Sequence, residues 1–268
     1  MSEEKENYLT VNKQLWNERT AHHFDSKFYD VAGFKNGQSS LNSIELELLG
    51  NIADKKILHL QCHFGMDTIS LARLGAQVTG VDLSDAAISQ ATKLAAETQS
   101  HAQFLLSDIY SLTAKHNEQY DIVFTSYGTI GWLPDLTKWA QVINHFLLPG
   151  GKFLLVEFHP LVWIFDNAFK YIQYSYFNKE AIVETEHGTY ADKNAAIETT
   201  SITWNHPLSE VINSLIKCGL QIEVLQEYDY SPYNILPDMM ETEKGRYQIA
   251  SVGDKMPLVY AILATKPL

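Results

Sequence analysis

Gln61, Cys62, His63 and Gly65 fall in a short loop between an apolar run, Ile57–Gln61, and a helical pattern that begins at Asp67. Such a loop gathers backbone N–H groups and a helix N-terminus at one spot, which favours an anion, either a phosphate or a carboxylate. Asp82 closes the next apolar run, about 20 residues on, where a carboxylate can accept from both ribose hydroxyls. Loop and acid together build a nucleotide pocket at the carboxyl edge of a parallel sheet. The G-x-G-x-x-G pattern is absent, since Gly65 is the only glycine here, and this weighs against the pyrophosphate of NAD or FAD.

The elements that must hold these residues follow from periodicity. Residues 8–30 form a helix with Leu9, Val11, Leu15 and Trp16 spaced for one face, and a short amphipathic helix covers 41–50. Strands are expected at Ile57–Gln61, Gln77–Asp82, Gln103–Ser107, Tyr120–Tyr127 and Lys152–Phe158. They alternate with helices at Asp67–Leu74, from the N-cap Ser84 to about Glu97, and at Leu136–Leu147. Residues 161–204 break the alternation and read as an insertion of extra strands or a lid. A helix at His206–Cys218 and strands at Gln221–Gln226 and Val259–Thr265 complete the pattern, with a loop carrying Pro232, Pro237, Gly245 and Gly253 between the last two. The fold class is therefore α/β: a Rossmann-like, doubly wound, mostly parallel seven-stranded sheet with helices on both faces and an insertion after the fifth strand. Four regions are expected: an N-terminal helical cap (1–50), a cofactor-binding core (51–160), a substrate cap (161–204) and a C-terminal completion of the core (205–268).

The chain has 268 residues, 46% hydrophobic and 19% charged, which suits a globular domain. A net charge of −12 and the lack of any Lys/Arg cluster exclude nucleic acid and anionic membrane as expected partners. No run approaches the about 18 apolar residues of a membrane span, and MSEEKENYLTVNKQ has no apolar signal core. With two cysteines only, Cys62 and Cys218, reduced thiols in a cytoplasmic protein are expected.

Four further segments match one known family. LARLGAQVTGVDLSDAAISQA, LLSDI, YDIVFTSYGTIGWLPD and LLPGGKFLLVEFHP stand in the order and spacing of the class I S-adenosylmethionine-dependent methyltransferases, and the chain resembles that family over about 50–160. The family's first motif, an acid followed by three alternating glycines, falls on His59-Leu60-Gln61-Cys62-His63-Phe64-Gly65. His59 replaces the acid, and Gln61 and His63 replace two glycines. The LHLQCHFG loop further resembles one subgroup of these enzymes. The resemblance implies S-adenosyl-L-methionine as methyl donor, S-adenosyl-L-homocysteine as product, and a small-molecule acceptor with an O, N or C nucleophile. It also implies Asp82 as ribose ligand, Leu83 beside the adenine, Asp108 on the adenine amine, Ile109 on its ring, and Ser126–Trp132 facing the methyl group. Trp16 and Tyr29 would lie over the cofactor.

Each role has a plainer counterpart. Asp82 could cap the next helix and Asp108 could form a turn. His63 could donate to the cofactor carboxylate or turn outward. Cys62 suits a small packed residue better than a nucleophile. His59 could position the loop through its ring nitrogens. His59, Cys62 and His63 do not converge on a metal, because adjacent strand residues face opposite ways. His159, beside Glu157 at the end of the fifth strand, is the candidate general base, or else a histidine bonded in a turn before Pro160. Tyr127 is a second catalytic candidate. A non-catalytic S-adenosylmethionine-binding or regulatory protein of the same fold is the alternative, and a nicotinamide-dependent oxidoreductase a further one. The acceptor, the methylated atom and the oligomeric state are not legible.

Overall fold

A computed structural model describes residues 3–268, so Met1 and Ser2 of the expected cap lie outside the described residues. In chain order the elements are α1 (Glu3–Phe24), α2 (Val31–Lys35), α3 (Ser43–Leu49), β1 (Lys56–Leu60), α4 (Met66–Arg73), β2 (Gln77–Asp82), α5 (Asp85–Glu97), β3 (Gln103–Leu106), α6 (Leu112–Lys115) and β4 (Tyr120–Ser126). Then follow α7 (Leu136–Phe146), β5 (Leu147–Phe158), β6 (Ile182–His187), β7 (Glu198–Thr203), α8 (Leu208–Lys217), β8 (Gln221–Tyr228), β9 (Met239–Glu243), β10 (Arg246–Ile249) and β11 (Val259–Thr265).

Seven strands form one sheet in the order β3-β2-β1-β4-β5-β11-β8, parallel except for β11, which runs antiparallel to both its neighbours. The inner strands are buried on both sides, so they read as unbroken apolar runs rather than as alternation. On one face Trp139, Ile143, Phe146, Val211 and Leu215 of α7 and α8 cover Leu58, Val123, Phe153 and Ile262. On the other, Ile44 and Leu71 of α3 and α4 cover Ile57, Phe124, Leu154 and Ala261. The chain order reverses between β1 and β4, so the loops leaving these two strands diverge and open a crevice at their carboxyl ends.

Several boundaries differ from expectation for local reasons. The helix expected over 8–30 is two: α1 stops at Phe24, and α2 starts afresh at Asp30, which adopts φ 41° and accepts from the Gly33 N–H. β5 begins five residues early, because Leu147 already pairs with Tyr120 before the Pro149-Gly150-Gly151 kink shifts the register to Ile122 and Lys152. The loop carrying Pro232 to Gly253 contains the hairpin β9–β10, turned at Gly245 with φ +72°. The short α6 had no counterpart in the apolar pattern.

Residues 161–204 form a 3₁₀ turn at Val162–Ile164 and the antiparallel hairpin β6–β7. One α1 side chain ties this hairpin as a strand would. Asn12 donates to the Ile202 carbonyl at 2.8 Å and accepts from the Ile202 N–H at 2.9 Å, as a neighbouring strand would. Tyr8 meets Trp204 edge-on at 5.5 Å, and the Trp204 N–H donates to the Gly131 carbonyl at 2.8 Å. α1 and the hairpin thus form a roof over the exits of β1 and β4.

Candidate functional site

The loop from β1 to α4 runs through three left-handed residues, Gln61 (φ 56°), His63 (φ 50°) and Gly65 (φ 80°). At Gly65 only glycine fits, since a Cβ would lie 2.5 Å from the Phe104 ring. At Gln61 and His63 the conformation expected of glycine is kept by larger residues, at a cost of roughly 1–2 kcal/mol each. Their polar bonds offset it. Gln61 Nε2 donates to the Thr129 carbonyl at 2.8 Å, and the His63 N–H donates to Asp82 Oδ2 at 2.8 Å.

His59 points into the core, its Nδ1 2.8 Å from Thr68 Oγ1 and its ring 4.9 Å from Phe124. Burial pushes its imidazole down to about 3, so it stays neutral. Cys62 is a packed residue as well: a Cβ on Gly80 would come within 2.8 Å of its Sγ, and burial, with Asp82 beside it, holds the thiol well above its usual range. Among the described residues, no three His, Cys, Asp or Glu side chains are grouped to hold a metal ion.

Asp82, Leu83, Asp108 and Ile109 line one end of a large cavity. Besides His63, the Asp82 carboxylate accepts from the Ser84 N–H at 2.9 Å, while Ser84 itself caps α5 through Ala87. Burial raises the Asp82 carboxyl and these backbone bonds oppose the rise. Asp108 accepts from the Ser111 N–H at 2.9 Å, forming a turn while still facing the cavity.

At the exit of β4 the backbone is held by Glu157. One of its oxygens accepts from the Gly128 and Phe158 N–H groups. The other accepts from the Thr129 N–H (2.7 Å), the Thr129 hydroxyl (2.9 Å) and the Ile130 N–H (3.2 Å). Ser126 donates to Asp67 Oδ2 at 3.1 Å, and Tyr127, itself left-handed at φ 40°, donates to Glu45 Oε2 at 2.9 Å. His159 does not join them. Its Nδ1 accepts from the Leu161 N–H at 3.2 Å, so its Nε2 carries the proton and donates to Glu227 at 2.9 Å. It is buried beside Tyr260 and does not line the cavity, whereas Glu157 and Pro160 do. The expectation of a general base at His159 gives way to the other reading, a histidine bonded in the turn before Pro160: β5 ends at Phe158, and the bonds to Leu161 and Glu227 hold the ring off the cavity wall.

Trp16 sits edge-on to His63 at 5.2 Å and to Trp132 at 5.1 Å, and Tyr29 meets Phe64 at 4.7 Å. His63 turns inward, with its Nε2 3.0 Å from Nδ1 of His23. Burial drives both imidazoles down, His23 to about 3. Four neighbouring side chains carry a buried polar atom without a partner: Arg19 Nε, His23 Nε2, His63 Nδ1 and Gln61 Oε1. Arg19 is 5% exposed, and its one ion pair among the described residues, to Glu186 of β6, is long at 3.4 Å.

Arg19, His23, Glu45 and Asp67 did not stand out in the sequence. A signal existed for the first two: Trp16, Arg19 and His23 stand at i, i+3 and i+7 on α1 and share a face. Glu45 is the fourth residue of an Asn42 capping box.

The cavity has a volume of about 930 Å³, near the upper end of the range for small-molecule sites. Eight carboxylate residues line it against two basic ones, Arg19 and Lys193.

Residues 57–151 match the family described as "Methyltransferase domain". The ubiquinone biosynthesis O-methyltransferase of Xanthomonas oryzae pv. oryzae is 27% identical over 133 residues, which are 48% of this chain and 55% of the relative. The chain spans about half the length of the curated relatives it matches. An S-adenosylmethionine-dependent methyltransferase from Clostridium acetobutylicum superposes with a TM-score of 0.60 at 15% identity, over 94% of this chain and 99% of that one. One from Methanosarcina mazei gives 0.58 at 20% identity, over 85% and 99%. The core therefore has the Rossmann-like class I methyltransferase fold.

Proposed function

We propose that the chain is an S-adenosylmethionine-dependent methyltransferase that moves a methyl group to an O, N or C nucleophile of a small molecule. The observation that carries this reading is the cluster of unpartnered atoms on Arg19, His23, His63 and Gln61, beside a loop clipped to Asp82. Buried polar groups are costly unless bonded, so the cluster asks for a ligand with a matching polar end.

An amino-acid end fits. Arg19 Nε–H is a donor for a carboxylate. The histidines supply one more, because the proton shared between His23 Nδ1 and His63 Nε2 leaves one outer nitrogen protonated and the other bare. Gln61 Oε1 accepts, as an ammonium requires. At the other end Asp82 accepts one N–H on each oxygen, and a carboxylate has about four acceptor sites, which leaves room for two ribose hydroxyls. Leu83 and Ile109 supply apolar contact for the adenine and Asp108 its polar edge. Cys62 and Gly65 contribute backbone.

S-adenosylmethionine, when bound, supplies a methyl group already activated on a sulfonium. The protein's task is then alignment and exclusion of water. Ser126, Tyr127 and the strand exit pinned by Glu157 form the floor at that point, and α1 with β6–β7 forms the roof. Burial keeps the Tyr127 hydroxyl neutral, well above its usual range. With its proton given to Glu45, that oxygen offers a lone pair that can orient an acceptor hydrogen. The acid-lined cavity suits a small molecule rather than nucleic acid, and the free Cys62 and Cys218 suit the cytoplasm. Residues 161–204, as a substrate cap, would set acceptor choice. The left-handed backbone kept at Gln61 and His63 favours a working pocket over a non-catalytic relative. Titration calorimetry with S-adenosylmethionine tests the reading, followed by an acceptor screen for S-adenosylhomocysteine release. A folded protein that binds no S-adenosylmethionine would end it.

A further inference from the structure

The cavity has a second polar feature that the cofactor reading above does not use. Asp67, in the first turn of α4, lines it with both carboxylate oxygens held, Oδ1 by the Ser40 hydroxyl at 2.6 Å and Oδ2 by that of Ser126 at 3.1 Å. Each oxygen keeps an acceptor site free. No cation pairs with it among the described residues, and burial raises its carboxyl. Glu45, wholly buried behind Tyr127, feels the Asp67 charge, which adds to the burial that pushes its carboxyl up to about 7.

Around this anion stands a continuous aromatic wall. Tyr127 meets Tyr233 at 5.0 Å, Tyr233 meets Phe28 at 5.8 Å, and Phe28 meets Tyr29 at 5.0 Å and Tyr190 at 5.7 Å. All five rings line the cavity, and the Asp67 charge bears on the hydroxyls of Tyr29, Tyr127 and Tyr233. The Tyr29 and Tyr190 hydroxyls bond to each other. A carboxylate without a counter-ion among the described residues, sharing an acid-lined cavity with a wall of aromatic rings, is complementary to one kind of group. Cations are drawn both by the ring quadrupoles and by the charge.

We infer that Asp67 and the Phe28–Tyr29–Tyr127–Tyr190–Tyr233 wall form a binding site for an ammonium group, with Ser40 and Ser126 holding the carboxylate in position. Because Gln61 Oε1 already takes the cofactor's α-ammonium in the proposed function, the source that fits is the amine of the methyl acceptor; the cofactor's own α-ammonium is the other source the test resolves, and naming the source rests on the methyl-transfer reading.

Calorimetry on the full chain separates these. Asp67→Asn removes the charge and keeps the shape, and Tyr233→Leu removes one ring while leaving the acid. The probes are S-adenosylmethionine against 5′-methylthioadenosine, which lacks the amino-acid end, and tyramine against its neutral counterpart tyrosol, with and without S-adenosylhomocysteine. If the cofactor is the source, both variants bind S-adenosylmethionine at least tenfold more weakly and 5′-methylthioadenosine within about twofold of wild type. If the acceptor is the source, S-adenosylmethionine affinity holds and tyramine binding falls at least tenfold, with tyrosol unaffected. Affinities within about twofold for every probe, or tyramine and tyrosol binding wild type equally with S-adenosylmethionine unchanged in the variants, overturn the ammonium site. A wild-type protein that binds neither adenosine compound ends the methyl-transfer reading instead, and the tyramine–tyrosol comparison without homocysteine compound then decides the ammonium site alone.

Discussion

Replacing Glu157 by Gln keeps the volume of the side chain and changes one oxygen into an NH₂ group. In the native protein the carboxylate serves four backbone N–H groups and one hydroxyl. The amide has two orientations. With its nitrogen on one side it faces the N–H groups of Gly128 and Phe158; on the other it faces those of Thr129 and Ile130, although the Thr129 hydroxyl can rotate to accept. Either way two buried N–H donors lose their acceptor and meet another donor. At about 1–3 kcal/mol for each donor left unmet, the loss is about 2–6 kcal/mol. That is a large share of the roughly 5–15 kcal/mol that holds a domain folded. Urea unfolding at equal slope measures the total, and deuterium exchange at Gly128–Ile130 places it at the strand exit. A loss below about 1 kcal/mol, or unchanged exchange there, would refute the assignment of Glu157 as the anchor of that exit.

Asp82→Ala should weaken S-adenosylmethionine at least tenfold and also lower stability by about 2–6 kcal/mol, since the His63 and Ser84 N–H groups lose their acceptor; calorimetry showing undiminished affinity would place the ribose elsewhere. His159→Ala should leave cofactor affinity within about twofold and cost about 1–3 kcal/mol through lost packing and the Glu227 bond, and a tenfold fall in affinity would return His159 to the cavity. Glu45, ordinarily near 4.5, is pushed up to about 7 chiefly by burial, against the opposing Asn42 backbone bond. Between those values the folded protein keeps a proton that the unfolded chain has released, so stability falls as pH rises through that window, by about 3 kcal/mol in order of magnitude. Glu45→Gln should flatten this limb, and urea midpoints with the same slope between about pH 5 and 8 would contradict it.

The sheet was readable because its inner strands are covered on both faces and so appear as apolar runs, each closed by a polar or glycine residue. Ser84, Gly75 and Gly219 marked helix ends for the reasons they usually do. The β9–β10 hairpin was hidden because most of its residues are exposed or half-buried and its apolar contact is confined to the pair Met239 and Ile249. At the site, Asp82 could be placed because its position is set by the strand that carries it. His159 could not, because it lies just past the end of β5 at Phe158, where its direction is set by the turn into Leu161 and by Glu227, 68 residues further along the chain. Arg19, His23 and Asp67 owe their significance to partners far along the chain. The polar needs of Arg19 become visible only when β6 is laid beside α1.

The two bonds between Asn12 and Ile202 join residues 190 positions apart. During synthesis α1 emerges first and can dock on α5 and on the β1–α4 loop, through Asn17 to Ser84 and His23 to His63, but its bonds to the hairpin wait until β7 has been made. The join between α1 and the hairpin therefore forms late, and closing so large a loop lends it little independent persistence. A bound ligand that spans floor and roof supplies what the chain order withholds. Fully formed protein should thus accumulate faster when its ligand is present during refolding, not only melt later once folded.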